Sequence, residues 1–322
     1  MNHVISRLPI LVLQPHARCN CRCVMCDIWK VATAQELTAS DLKRHIDDIQ
    51  GLGVEWVVLT GGEPLMHSDL WSLCRMLRER GVRTTILSSG LLLDRHAAAI
   101  VEHANDVIVS LDGPPGVHNQ IRGVPRAFAL LDRGVRAIHR LNPKFPINGR
   151  CTVQAQNAAH LCATVETARS LGLRSISFLA ADLTSTSFNR AEPWPPERQS
   201  LVAPDWSILE TEIQRLIDRA DPFVVESAAK LRRIASHFRG DHSAPRCNAP
   251  WVSAVIETGG EIRPCFFHPP IGNLADGPLA ATLNGPRALA FRASLKIAEN
   301  PVCRQCVCSL FVPSTDAVGS GN

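Results

Sequence analysis

The sequence has no apolar run long enough to span a bilayer, and its first residues do not read charged-then-apolar as a secretory signal does. Both absences argue against membrane-embedded and exported classes. It has no block of basic residues either: 34 Lys and Arg against 30 Asp and Glu leave a net charge of +4, spread through the chain. Nucleic-acid binding needs a basic stripe, so that class falls away as well. Tyrosine is absent altogether and Arg outnumbers Lys heavily; no physical argument ties either fact to the fold. What is left is an ordinary globular balance, 45% hydrophobic over 322 residues, enough for one large domain with a small accessory unit. Against that background the twelve cysteines stand out. A chain expected in the reducing cytoplasm uses so many thiols for metal or redox work rather than for disulfides.

Three of them form Cys19-x3-Cys23-x2-Cys26, close behind the apolar run Pro9-Ile10-Leu11-Val12-Leu13. Three thiolates leave one corner of a [4Fe–4S] cluster without a protein ligand, and a spare coordination site implies chemistry. The alternative is zinc, which in structural sites closes four ligands. Cys21 falls between the three and has no place in the spacing. A second group begins at Cys247. Cys247 and Cys265 flank a segment that reads as a β-hairpin turning at Gly259-Gly260, and Cys303-x2-Cys306-x-Cys308 follows. A hairpin brings its flanking cysteines together and a C-x2-C pair grips one centre from a single turn, which suits an iron–sulfur cluster and a zinc ribbon alike.

Between the two groups, apolar runs alternate with helical periodicity. Beyond the run at 9–13, strands are expected at 56–60, 84–88, 107–111, 148–154 and 175–179, with helices at 38–50, 70–77, 94–104, 127–141 and 161–171. Continuous apolar strands between helices mean a parallel sheet covered on both faces. The expected fold is therefore α/β, a partial (β/α)6 TIM-type barrel, with a doubly wound open sheet as runner-up. The barrel is expected over 1–205, ending in a structureless loop at 182–205; helices at 206–220 and 223–239 connect it to a small cysteine-rich region at 241–312 that carries the hairpin, and a tail at 313–322 frays. In such folds the chemistry sits at the carboxyl ends of the strands. There Gly61-Gly62-Glu63-Pro64 follows the second strand, and Ser88, Ser110 and Gln154 stand at the ends of the third, fourth and fifth. In the long loop, Asp182, Asn189, Arg190 and Trp194 are candidate substrate contacts, weighed against a plain solvated loop.

Taken together, the first cysteine spacing and the later Gly-Gly-Glu-Pro resemble the signature of the radical S-adenosylmethionine (radical SAM) enzymes. The resemblance implies that Cys19, Cys23 and Cys26 hold a [4Fe–4S] cluster whose open iron binds SAM. It places Met25 beside the adenine, Gly61, Gly62, Glu63 and Pro64 at the SAM amino group, and Ser110 with Arg122 at its carboxylate. Ser88 then lies near the ribose and Gln154 faces the cofactor. A cysteine, a Gly-x4-Cys element and a downstream C-x2-C resemble the shortened SPASM region called twitch, which implies a second, auxiliary [4Fe–4S] cluster on Cys247, Cys265, Cys303 and Cys306. Cys308 departs from that pattern and is open as a replacement ligand, a hydrogen donor or a bystander.

What the resemblance implies for function is reductive SAM cleavage to a 5′-deoxyadenosyl radical that abstracts a substrate hydrogen atom. Two outcomes follow from one abstraction. Oxidation, or dehydrogenation, uses the auxiliary cluster as electron acceptor; epimerisation needs a non-ligand thiol to return a hydrogen atom, with Cys151, Cys308, Cys162 and Cys74 as candidates. An electron donor of flavodoxin or ferredoxin type is implied. Because the first cluster cysteine comes at residue 19, with no peptide-recognition unit ahead of it, a small carbohydrate-like metabolite is the first expectation for substrate; a ribosomal peptide brought by a separate carrier is the second. A non-catalytic iron–sulfur or zinc-binding protein is the reading from another class, and it leaves Gly61 to Pro64, Ser110 and Arg122 without a purpose.

Overall fold

The computed structural model describes residues 3–31, 33–183, 185, 192–241 and 245–313. Among them, strands and helices alternate through the first two thirds of the chain: β1 Ile10–Leu13, α1 Ala39–Lys43, α2 Ile46–Gly51, β2 Trp56–Leu59, α3 Leu70–Glu79, β3 Arg83–Ser88, α4 Leu93–His103, β4 Asp106–Ser110, α5 Pro115–Arg122, α6 Ala127–Leu141, β5 Ile147–Val153, α7 Leu161–Ser170 and β6 Ile176–Ala180. Helices α8 Pro196–Val202, α9 Trp206–Arg219 and α10 Ala228–Arg239 lead to α11 Ala249–Val252, followed by strands β7 Ser253–Ile256, β8 Glu261–Arg263 and β9 Gly272–Asn273. The described residues form one sheet in the order β6-β5-β4-β3-β2-β1-β7-β8-β9. Strands β1 to β6 are parallel neighbours, as expected of a partial (β/α)6 barrel.

The hairpin does not stand apart from the barrel. β7 pairs in parallel with β1, Ile10 against Ser253 and Leu13 against Ile256, and β8 and β9 extend it antiparallel. Period-two alternation sorts the side chains. On β5, Ile147, Gly149, Cys151 and Val153 are buried towards the helix layer, while Asn148, Arg150 and Thr152 face the other way. Val12, Val58, Leu87, Ile108, Arg150 and Leu179, one from each of β1 to β6, line a single cavity. The sheet therefore curls around a lumen.

Four local expectations give way. The helix expected over 38–50 breaks at Arg44–His45, because the half-turn at His45 (φ −114°, ψ 8°) sends its side chain inward to 5% exposure. Residues 115–122, read as loop, form α5, and part of the loop expected over 182–205 is α8; both helices carry Pro at their first turn, where it is pre-organised for the helix and not a breaker. The helix expected from 223 starts at Ala228. Phe223 to Val225 instead run beside β6, where Ile176 N donates to Phe223 O and Val225 N to Ile176 O, both at 2.9 Å, and shield that sheet edge.

Leu13 is fully buried at the centre of this sheet. Leu13→Ala is expected to remove about 2–5 kcal/mol of stability, read as a lower urea midpoint with an unchanged slope.

Candidate active site

The cysteine loop leaves β1 and is gripped from two sides. From one side, Gly62 N donates to His16 O (3.0 Å) and Glu63 N to Arg18 O (2.8 Å); from the other, Arg22 N donates to Arg122 O (3.0 Å) and Val24 N to Ile121 O (3.1 Å). The first grip requires glycine. A Cβ on Gly62 would lie 2.0 Å from Arg18 O, and Gly61 combines φ +100° with a 2.7 Å approach to His16 O. Glu63 is fully buried, and its carboxylate accepts from Ser88 Oγ (2.9 Å), Ser89 N (2.7 Å), Ser89 Oγ and Leu65 N (3.2 Å). Burial pushes its pKa up against these donors. Glu63 thus fastens the turn after β2 to the end of β3.

On the second side, Arg122 ends α5 and is buried, not in a solvated loop. Its Nε and Nη2 both lie 2.6 Å from Asp112 Oδ2, and Nη1 lies 3.6 Å from Cys23 Sγ. Asp112 is itself fixed by Thr152 N at 2.9 Å. Cys21 is buried at 1% exposure, with its thiol hydrogen-bonded to both Cys19 and Cys23, so it points into the group and not off the loop. Its hydrogen bond and then the Arg122 charge bring the Cys23 thiol down to about 7 although burial opposes them. Cys23 and Cys21 pack with Met25 and Trp194 in one apolar cluster that Cys19 and Cys26 border. Asp27 then ties the loop to the chain beyond β6: it accepts from Trp194 Nε1 and Arg198 Nη2, each at 2.6 Å, and pairs with Lys30 at 2.9 Å. Burial opposes ionisation there, yet those donors hold the Asp27 carboxyl at about 2.

Ser110 closes β4 opposite Arg150, and Ser88 serves Glu63. Gln154 is fully buried just past β5 with its Oε1 lacking any hydrogen-bond partner. An orphaned acceptor at a strand's carboxyl end is where a ligand donor fits. Asp182 is buried beyond β6 beside Ser185; Asn189 and Arg190 lie outside the described residues.

The second group, Cys247, Cys265, Cys303, Cys306 and Cys308, lines the lumen, a cavity of about 260 Å³. Thr60, directly before Gly61, and Leu87, directly before Ser88, line it too, so one space runs from the neighbours of the first group to the second. Burial pushes the Cys265 thiol up to about 11 and that of Cys303 up to about 12. His268 Nε2 lies 3.4 Å from Cys303 Sγ, and Cys308 N donates to Cys306 Sγ at 3.3 Å. Of the four candidate hydrogen donors only Cys308 lines the cavity. Cys74 is fully buried in α3, Cys151 faces the helix layer with Asn157 Nδ2 3.4 Å from its sulfur, and Cys162 on α7 packs in the helix-layer core. Sequence reasoning missed Ser89, Asp112, Asp27 and Arg198. Ser89 and Asp112 carried a signal, being polar residues just past strand ends.

A model of the Radical SAM superfamily matches residues 13–177. The chain belongs to that superfamily. A second model, an iron–sulfur cluster-binding domain called SPASM, matches residues 247–307. A radical SAM enzyme with these two domains uses SAM on a [4Fe–4S] cluster together with an auxiliary iron–sulfur cluster. The chain is 31% identical to Fe-coproporphyrin III synthase of Methanosarcina barkeri over 49% of its own length and 40% of that protein's. It is 26% identical to PqqA peptide cyclase of Ruegeria pomeroyi over 80% of its length and 67% of the other. The matched stretch thus spans less than half of the former. Its fold resembles that of Streptococcus suis SuiB, crystallised with the precursor peptide SuiA, at TM-score 0.67 and 15% identity, covering 96% of this chain and 73% of SuiB.

The donor sets fit the radical SAM cofactors. Three thiols of the first spacing share one gripped loop beside a buried cation, and the Gln154 carbonyl past the end of β5 has no hydrogen-bond partner. No His, Cys, Asp or Glu group among the described residues converges on a point the size of a single ion; cluster thiolates bind separate irons and do not need to. None of the described helices is long and apolar enough to cross a membrane.

Gly62→Ala must push the turn away from the cysteine loop, so reconstituted protein is expected to hold markedly less iron at its first site, by iron assay. Asp112→Asn leaves the Arg122 charge buried without its partner and is expected to destabilise the chain by about 3–5 kcal/mol, by chemical denaturation.

Proposed function

We propose that this radical SAM enzyme oxidises a peptide substrate, with Cys19, Cys23 and Cys26 holding the SAM-binding cluster and Cys247, Cys265, Cys303 and Cys306 the auxiliary one. Bound SAM on its cluster supplies hydrogen-atom abstraction, and the auxiliary cluster supplies an electron sink. The observation that carries the reading is the shared cavity: its wall runs from the residues flanking the SAM-side turns to the second cysteine group, so a carbon held in the lumen lies between abstraction and electron acceptance. The chain's own residues shape that space and keep water from it through the apolar faces of β1 to β4.

Peptide chemistry is favoured over a carbohydrate-like metabolite for two reasons. The lumen is mostly apolar, which suits an amino-acid side chain better than a polyhydroxylated ring. Similarity over four fifths of the chain to a protein named PqqA peptide cyclase, and a shared fold with a protein crystallised with its precursor peptide, point the same way. At about 260 Å³ the cavity admits one side chain, the peptide backbone staying at its mouth. A flavodoxin- or ferredoxin-type donor in the cytoplasm would reduce the first cluster.

Anaerobically reconstituted protein is expected to hold about eight irons per chain, four per cubane, and to form 5′-deoxyadenosine from SAM with dithionite. Synthetic peptides converted to products lacking two hydrogen atoms, by mass spectrometry, would support the reading. Zinc in place of iron, or no 5′-deoxyadenosine, would remove it. Replacing Cys303 and Cys306 by Ala is expected to halve the iron.

A further inference from the structure

The charged residues of the mostly apolar lumen gather on one side, where Arg150 of β5, Glu226 just before α10 and Lys230 in its first turn come together. Arg150 occupies an inward position of β5 by the strand's alternation, opposite Ser110 of β4, and lines the lumen together with Val12, Val58, Leu87 and Ile108 of β1 to β4. Its Nε lies 3.2 Å from Ser177 Oγ. Its two terminal nitrogens have no hydrogen-bond or ion-pair partner among the described residues. Glu226 does not neutralise it: that carboxylate accepts from Phe178 N at 2.8 Å and sits 3.8 Å from Lys230 Nζ. Two cations therefore share the Glu226 carboxylate, whose pKa burial pushes up, and Asp182, buried beyond β6, is the other acidic group near Cys308.

A guanidinium in an apolar lumen with its fork unengaged is unfavourable without an anion, and its planar geometry matches a carboxylate in two-point contact. We propose that Arg150 and Lys230 anchor a carboxylate carried by the substrate, drawing it into the lumen beside Cys308. Arg150 and Lys230 line the same cavity as Cys247, Cys306 and Cys308, so the anchored group lies beside the second cysteine group. The proposal deepens the functional reading and rests on it: a peptide would enter through an acidic side chain or its own carboxyl terminus, with its aliphatic part against the walls of β1 to β4. The same cations could instead balance negative charge on the neighbouring cysteine group, and the test separates the two.

The full-length reconstituted enzyme is examined under argon by saturation-transfer NMR with three probes: N-acetylglutamate α-amide, N-acetylleucine and the neutral N-acetylleucinamide. Both carboxylates, or one of them, are expected to bind about tenfold or more tightly than the neutral amide, and the stronger names the source as side chain or terminus. Arg150→Gln is expected to erase that preference, Arg150→Lys to keep part of it, and Lys230→Gln to weaken it. Iron content matching the wild type certifies each variant; should Arg150→Gln fail to load iron, the Lys variant and Lys230→Gln carry the comparison. Equal binding of the neutral amide, or preference unchanged in the variants while the auxiliary cluster's potential shifts, overturns the anchor. Absence of 5′-deoxyadenosine in the wild-type sample removes the functional reading and leaves the binding result standing on its own.

Discussion

The contact on which the rest depends is backbone against backbone. The turn after β2 presses on the cysteine loop so closely that Gly62 leaves no room for a side chain below Arg18 O, and the two bonds from Gly62 and Glu63 run through that gap. Glu63 carries the constraint on to β3 through Ser88 and Ser89. Three successive strand ends are locked to one loop before any ligand is considered. A cysteine loop free to move would scatter its thiols; this one is pre-organised by its hydrogen bonds to the turn after β2 and to α5.

The opposite grip is electrostatic. Asp112 and Arg122 form a buried pair whose partner-less halves would be expensive, and the pair aims the remaining Arg122 nitrogen at Cys23. Asp27, next to Cys26, does the same job at the outer end with Trp194 and Arg198. Its carboxyl, held at about 2, stays charged throughout the working range, so this clasp is at full strength above about pH 4 and is lost as pH falls through about 2. The residues that hold the loop therefore come from the turns after β2 and β4, from α5, and from α8 with the segment before it, elements far apart in sequence.

Much of this was legible from the sequence, for physical reasons. Apolar runs of strand length between amphipathic helices admit few arrangements, so the parallel order of β1 to β6 followed. The glycines at 61 and 62 announced a close approach, though not against what. Less legible were features that depend on partners remote in sequence. A solvated loop charge was the plain alternative for Arg122, because nothing local shows that α5 will bury it against Asp112. Asp112 and Ser89 could be picked out as polar residues just past strand ends, though their sequence neighbours did not show that the fold would set them against Arg122 and Glu63. Nor did the hairpin reveal that β7 would join β1; an exposed edge can be covered in several ways, and local pattern does not choose among them.

The same topology gives the chemistry its direction. Because β7 extends the barrel sheet, Cys247 just ahead of it comes to the lumen's far end while the Gly61 turn stays at the near one, with a single cavity between. The central claim is that the near loop carries an iron open to SAM. Electron paramagnetic resonance of the dithionite-reduced protein, recorded before and after adding SAM, tests it most directly. A change in the g-values of one of two cluster signals, the other staying constant, is predicted; spectra that ignore SAM would contradict the account.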